Sequence, residues 1–146
     1  MSHTYSSRLY HCVFSTKDRR PLIPPDLKKR LWPYMAGIAR ENQFKALAVG
    51  GMPDHAHLLL SLPTTMQHFK AIQLIKGGSS KWINDHVPGR TFSWQDGYGA
   101  FTIGISQIEA TVRYIDNQER HHHRMTSAEE FERMLERHGI RLGARD

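Results

Sequence analysis

Residues 8–15, R-L-Y-H-C-V-F-S, are rich in strand-forming side chains, and the turn T-K-D-R-R-P closes them. Pro25 and Asp26 open a helical pattern in which Leu27, Leu31, Tyr34, Met35 and Ile38 recur up to about Asn42. Residues 44–51 read as a strand ending at Gly50 and Gly51. The next strand is 55–62, stopped by Pro63, and the two are close enough to form a hairpin. Thr64 or Thr65 is the expected cap of a second helix carrying Phe69, Ile72, Ile75 and Ser79. Gly77 and Gly78 mark a weak point in it before Lys81, Trp82 and Ile83. Residues 92–105 hold at least one more strand, broken by Gly97 and Gly99. Helical spacing returns from Ser106 with Ile108, Val112 and Ile115. Ser127 is the expected cap of a last helix running through Leu135 and ended by Gly139. The order β-α-β-β-α-β followed by helices predicts an α+β, ferredoxin-like antiparallel sheet with additional C-terminal helices. That fold hosts many functions, so chemistry must be read from side chains.

The chain has 146 residues, a length suited to one domain spanning 1–146 with a real core. No apolar run approaches the roughly 18 residues needed to span a bilayer, and the N-terminus lacks the apolar segment of a signal peptide. Cys12 is the single cysteine, which rules out an internal disulfide and favours a reducing, cytoplasmic setting. The net charge of +6 and pI near 9.7 favour a polyanionic partner.

The segment P-D-H-A-H-L-L-L-S-L-P at 53–63 holds two histidines one residue apart. Alternation along a strand puts Ala56, Leu58, Leu60 and Leu62 on one face and His55, His57, Leu59 and Ser61 on the other. The histidines are then either polar residues on a wet face or two ligands of one cation that lacks its third. The segment V-R-Y-I-D-N-Q-E-R-H-H-H at 112–123 offers that third. Tyr114 and Gln118, at i and i+4, share a helix face. If that helix crosses the histidine face, Gln118 can lend its amide oxygen and Tyr114 stands one turn away. A phenol beside a cation-bound phosphate can attack a phosphodiester and form a covalent phosphotyrosine. His121, His122 and His123 are extra ligands or the polar end of the helix. Tyr98 is the rival nucleophile, in a Gly-flanked segment with no ligand one turn away.

Taken together, these segments resemble the single-tyrosine transposases of the insertion-sequence 200/605 type, which carry a His-hydrophobic-His motif. Y-H-C-V-F-S-T-K-D-R-R-P is similar to the family's first strand and turn, and M-P-D-H-A-H-L-L-L-S-L to its metal strand. I-K-G-G-S-S-K-W-I and F-S-W-Q-D-G-Y-G-A-F resemble its second helix and fourth-strand approach, and V-R-Y-I-D-N-Q-E-R-H-H its nucleophile helix. The resemblance implies cleavage and rejoining of single-stranded DNA at insertion-sequence ends through a 5′-phosphotyrosine at Tyr114. It implies a divalent ion, Mg2+ or Mn2+, held by His55, His57 and Gln118. It also implies hairpin DNA as partner and a homodimer with shared active sites. The chain departs from many relatives in ending soon after R-H-G-I, as R-L-G-A-R-D.

Imidazole suits manganese and later metals better than magnesium, while an amide leaves room for water and phosphate oxygens. Lys17, Arg19, Arg20, Lys76, Lys81, Arg113, Arg120 and Arg124 are candidate phosphate contacts. Trp82, Trp94 and Tyr98 are candidate base-stacking groups or core residues. Competing readings are a domesticated relative acting on repeated chromosomal hairpins, a non-catalytic nucleic-acid-binding module, and a zinc hydrolase.

Overall fold

The third strand sets the architecture because it is buried on both faces. The computed structural model describes residues 5–89, 91–121 and 125–140, with backbone alone for Arg120 and His121. The strands are β1 (Leu9–Ser15), β2 (Lys45–Met52), β3 (His55–Ser61) and β4 (Gly99–Ile103). They form one antiparallel sheet in the order β2-β3-β1-β4, the ferredoxin-like order. Helices α1 (Pro25–Glu41) and α2 (His68–His86) make the two crossovers. Cys12, Phe14, Ala56, Leu58 and Leu60 pack beneath them with Leu31, Met35, Ile72 and Ile75.

The opposite face is covered by the C-terminal helices α3 (Ile108–Asp116), α4 (Gln118–His121) and α5 (Ser127–Arg137). Ala48 and Leu59 pack against Ile115 of α3, while Val13 and Phe101 pack against Met134 and Leu135 of α5. His55 and His57 are 2% and 0% exposed, which excludes the wet-faced alternative. Burying two imidazoles demands polar partners, and these come from the covering helices. No helix among the described residues is long and apolar enough to cross a membrane.

Five local expectations are corrected. Helix α2 starts at His68 with Gln67 at the N-cap, not at Thr64 or Thr65. The Arg8 guanidinium donates to the carbonyls of Pro63 and Met66, holding the intervening threonines in a turn. Gly77 and Gly78 do not weaken α2, which runs through them. A Cβ on Gly78 would lie 2.9 Å from Ile38 Cδ1, so this glycine lets α1 and α2 approach closely. The helix bearing Tyr114 breaks at Asn117, so Gln118 begins α4. Thr126, not Ser127, caps α5, through a capping box in which its hydroxyl accepts from Glu129 N–H. Gly99 opens β4 instead of interrupting it, and Gly139, with φ of 74°, follows the end of α5 as expected.

Candidate metal centre and nucleophile

Register places the site. On β3, His57 stands opposite Val13 of β1 and Gly50 of β2, and His55 opposite Ser15 and Met52. Residues paired across strands share a face, so Gly50 lies beneath the helix carrying Tyr114. A Cβ there would fall 2.5 Å from the Ile115 carbonyl oxygen. The missing side chain lets α3 rest on the sheet with the phenol of Tyr114 beside His57, ring centroids 5.6 Å apart.

Each histidine is oriented from behind. His55 Nδ1–H donates to Asp54 Oδ1 at 2.7 Å, and Ser127 Oγ also donates to that carboxylate. His57 Nδ1 is paired with His11 Nε2 at 2.9 Å. Burial pushes His11 down to about 3, so it stays neutral and can accept from His57. Both Nε2 atoms are thereby turned toward the interior of the site, as second-layer partners do for metal-binding imidazoles.

Glu130 of α5 fills that interior. Its Oε1 lies 3.0 Å from His57 Nε2 and 3.3 Å from His55 Nε2. Its Oε2 accepts from Gln118 Nε2 at 3.0 Å and from the hydroxyl of Tyr114. Gln118 Oε1 faces His55 Nε2 at 3.2 Å. His55, His57, Gln118 and Tyr114, drawn from β3, α3 and α4, thus converge on one carboxylate that is 2% exposed. Sequence reasoning missed Glu130, and it missed Asp54 and His11 as supports.

The electrostatics follow from this convergence. Burial alone would lower His55, but the Asp54 and Glu130 carboxylates on its two nitrogens raise it to about 9. Burial would raise Glu130, yet hydrogen bonds from the two imidazoles and Tyr114 hold it far below the usual carboxylate range. Burial and the adjacent Glu130 carboxylate push the Tyr114 phenol well above its ordinary value. The site as it stands holds one anion and keeps the phenol protonated.

The donor set fits a divalent cation. Ligand atoms of His55, His57 and Glu130 lie within 4.8 Å of one another. Gln118 Oε1 adds a neutral oxygen. A carboxylate oxygen beside two imidazole nitrogens makes the set harder than the His/His/Gln trio alone, which suits manganese or magnesium better.

The other candidates are dispersed. Lys17 and Arg19 flank an exposed turn after β1, with Arg20 next to it. Arg19, Tyr98 and Ser127 line a cavity of about 410 Å3 that runs from this turn to the start of α5. Lys76 Nζ donates to the carbonyls of Gln95 and Gly97, holding the approach to β4. Lys81 pairs with Asp85 and Arg113 with Glu109, both on exposed helix surfaces. Trp94 is buried against Phe14 and donates to Ser79, which makes it a core residue. Trp82 stacks on Tyr34, with the Arg30 guanidinium 5.2 Å from its ring. Tyr98 stands outside the histidine site, 6.0 Å from the His68 ring. The side chains of Arg120 and His121, and all of His122, His123, Arg124 and the final R-L-G-A-R-D, lie outside the described residues.

A profile of the family described as "Transposase IS200 like" matches residues 4–118. The chain belongs to this family. It is 23% identical over 116 residues to the ISDra2 transposase TnpA of Deinococcus radiodurans, covering 75% of this chain and 82% of that protein. A solved candidate transposase of Deinococcus radiodurans superposes with a TM-score of 0.65 at 23% identity, covering 81% of this chain and 96% of the other. The structure of a REP-associated tyrosine transposase bound to a REP hairpin superposes with a TM-score of 0.58 at 18% identity, over 80% and 70% of the two chains. At these identities the superpositions establish the fold. The family profile match ends at Gln118, and the helix supplying Glu130 lies beyond it.

Proposed function

We propose that this IS200-like transposase cleaves and rejoins single-stranded DNA through a 5′-phosphotyrosine on Tyr114, with His55, His57, Gln118 and Glu130 holding a divalent metal. The observation that carries the reading is the convergence of both Nε2 atoms, the Gln118 amide and the Tyr114 hydroxyl on one anion. A metal held by this carboxylate, the two imidazoles and the amide would stand within reach of a phosphate at the Tyr114 hydroxyl.

In this reading the Tyr114 oxygen attacks phosphorus, the bond from phosphorus to the 3′ oxygen breaks, and the 3′ oxygen leaves as a hydroxyl. The link retains the phosphoester, so a later 3′ hydroxyl can displace the tyrosine without an external energy source. A bound divalent ion supplies charge neutralisation at the phosphate oxygens. The chain's own residues orient the phenol, exclude water beneath α5 and set the imidazole tautomers. The domain is residues 1–146, the partner is hairpin-bearing single-stranded DNA, and the setting is cytoplasmic. A homodimer with shared sites belongs to the same proposal. The related structure bound to a REP hairpin favours a second form of it, in which the DNA is a repeated chromosomal hairpin.

The test is incubation of the chain with labelled single-stranded DNA from the sequence flanking its gene, with and without manganese. A manganese-dependent covalent adduct on a denaturing gel is expected, absent from Tyr114→Phe although that variant still binds the hairpin. An adduct persisting in Tyr114→Phe would overturn the assignment.

A further inference from the structure

Helix α5 brings more than Glu130 to the nucleophile. A cavity of about 260 Å3 opens beside Tyr114, lined also by His11, Gln107, Thr111, Arg137 and His138. A smaller recess on the Glu130 side is bordered by Tyr114, Arg133 and Arg137. Tyr114 and Arg137 therefore border both. Arg133 and Arg137 stand one turn apart on α5, and Arg137 follows Glu130 by two turns. The helix that sends a carboxylate into the metal centre thus turns two guanidiniums to the rim around the phenol. Among the described residues neither arginine enters an ion pair. The positive charge of Arg137 acts on both Tyr114 and His11. The far wall is fixed by His138, whose ring stacks on Phe101 at 4.6 Å.

A phosphodiester cut at Tyr114 sits within a continuous strand, so a neighbouring nucleotide lies close to the phenol, beside which this cavity opens. The cavity is lined by polar groups on several sides, and at about 260 Å3 it is far smaller than a duplex. A guanidinium matches phosphate oxygens through paired donors, and Arg does this better than Lys. We propose that this cavity receives the nucleotide next to the cleaved phosphodiester, with Arg137 contacting its phosphate and Arg133 reinforcing the rim. The inference rests on the phosphotyrosine reading for the position of the cut. It assigns a strand-binding role to α5, which lies beyond the residues matched by the family profile.

The experiment uses the full chain carrying Tyr114→Phe, in chelator, with the hairpin-bearing single strand from the gene's flank. Binding is measured by fluorescence anisotropy while single phosphates are replaced by methylphosphonate, one position at a time. Arg137→Gln should weaken binding about tenfold and reduce the salt slope by about one. Arg137→Lys should restore the slope. One methylphosphonate position should weaken binding to the arginine protein by a similar factor and leave Arg137→Gln unaffected. Unchanged binding in Arg137→Gln, or additive losses at every position, overturns the subsite. In parallel, the otherwise wild-type chain is given the same strand and manganese. An adduct without Arg137 coupling sinks the subsite alone. Coupling without an adduct sustains the subsite as a strand contact and removes the tyrosine chemistry.

Discussion

The hydroxyl of Tyr114 donates to the carboxylate of Glu130, and the same carboxylate meets the Nε2 atoms of both His55 and His57. Tyr114 and the histidine pair are therefore coupled through one side chain on a third element. Substitution at Glu130 should report on that coupling. Glu130→Ala leaves His55 with one carboxylate and a void beside it. It should destabilise the metal-free chain by about 3 kcal/mol, as loss of one partner of a buried pair does. Manganese affinity should fall at least about tenfold. Thermal melting and manganese calorimetry check both. A rise in covalent adduct in Glu130→Ala would instead mean that the carboxylate occupies the place of the phosphate.

Proton linkage at His55 gives a pH signature. Its folded value of about 9 lies above the ordinary 6.5, so its stabilisation is complete below about pH 6.5 and is lost as pH rises through 9. Asp54 and Glu130 are held low, so their stabilisation is present above their ordinary values and is lost in acid. The metal-free chain should accordingly draw most from this site in mildly acidic solution. Metal binding runs the opposite way, because the cation must replace the proton on His55 Nε2. Affinity for manganese should climb about tenfold per pH unit from about pH 6.5 to about 8.5, with one proton released. Calorimetry in buffers of differing ionisation enthalpy measures the release.

Much of this site is legible before folding. Strand alternation is enough to put His55 and His57 on one face, and helical spacing brings Tyr114 and Gln118 together even though the helix breaks between them. Glu130 is hidden for a physical reason. It follows Glu129 directly, and a pair of acids at a helix start reads as capping, which is what Glu129 does by accepting from the Thr126 N–H. The available clue is that Glu130 shares the buried side of α5 with Met134, a position where a charge needs partners. His11 is hidden differently. It lies 46 residues from His57, and nothing local predicts a neighbour that only β1–β3 pairing creates.

Gly50 should be intolerant of even one methyl group. Its β-strand backbone accepts alanine, but the new Cβ would press on the Ile115 carbonyl. Gly50→Ala should cost about 1–3 kcal/mol of stability. It should also slow adduct formation by about tenfold or more through displacement of Tyr114. Manganese affinity should change less, since His55 and His57 stay on their strand. Comparing adduct rate with metal affinity in one variant separates displacement of Tyr114 from damage to the histidine pair.

His11 acts through His57. His11→Phe should preserve the fold but release the His57 ring, lowering manganese affinity about 10- to 100-fold. Raising the metal concentration should recover much of the adduct yield. His11→Gln, which retains an acceptor for His57 Nδ1–H, should lie between the two. Equal losses in the Phe and Gln variants would point to packing instead of the hydrogen bond.

Cys12 is sealed under α1 and α2 at 0% exposure, and burial pushes its thiol up to about 12. Thiol-directed reagents depend on an accessible thiolate and should pass this chain by. The native sequence is thus already a silent background for site-specific labelling. A cysteine placed at exposed Glu136 on α5 would carry the sole dye. With it, the approach of a DNA strand to the tyrosine could be followed in a protein otherwise unaltered.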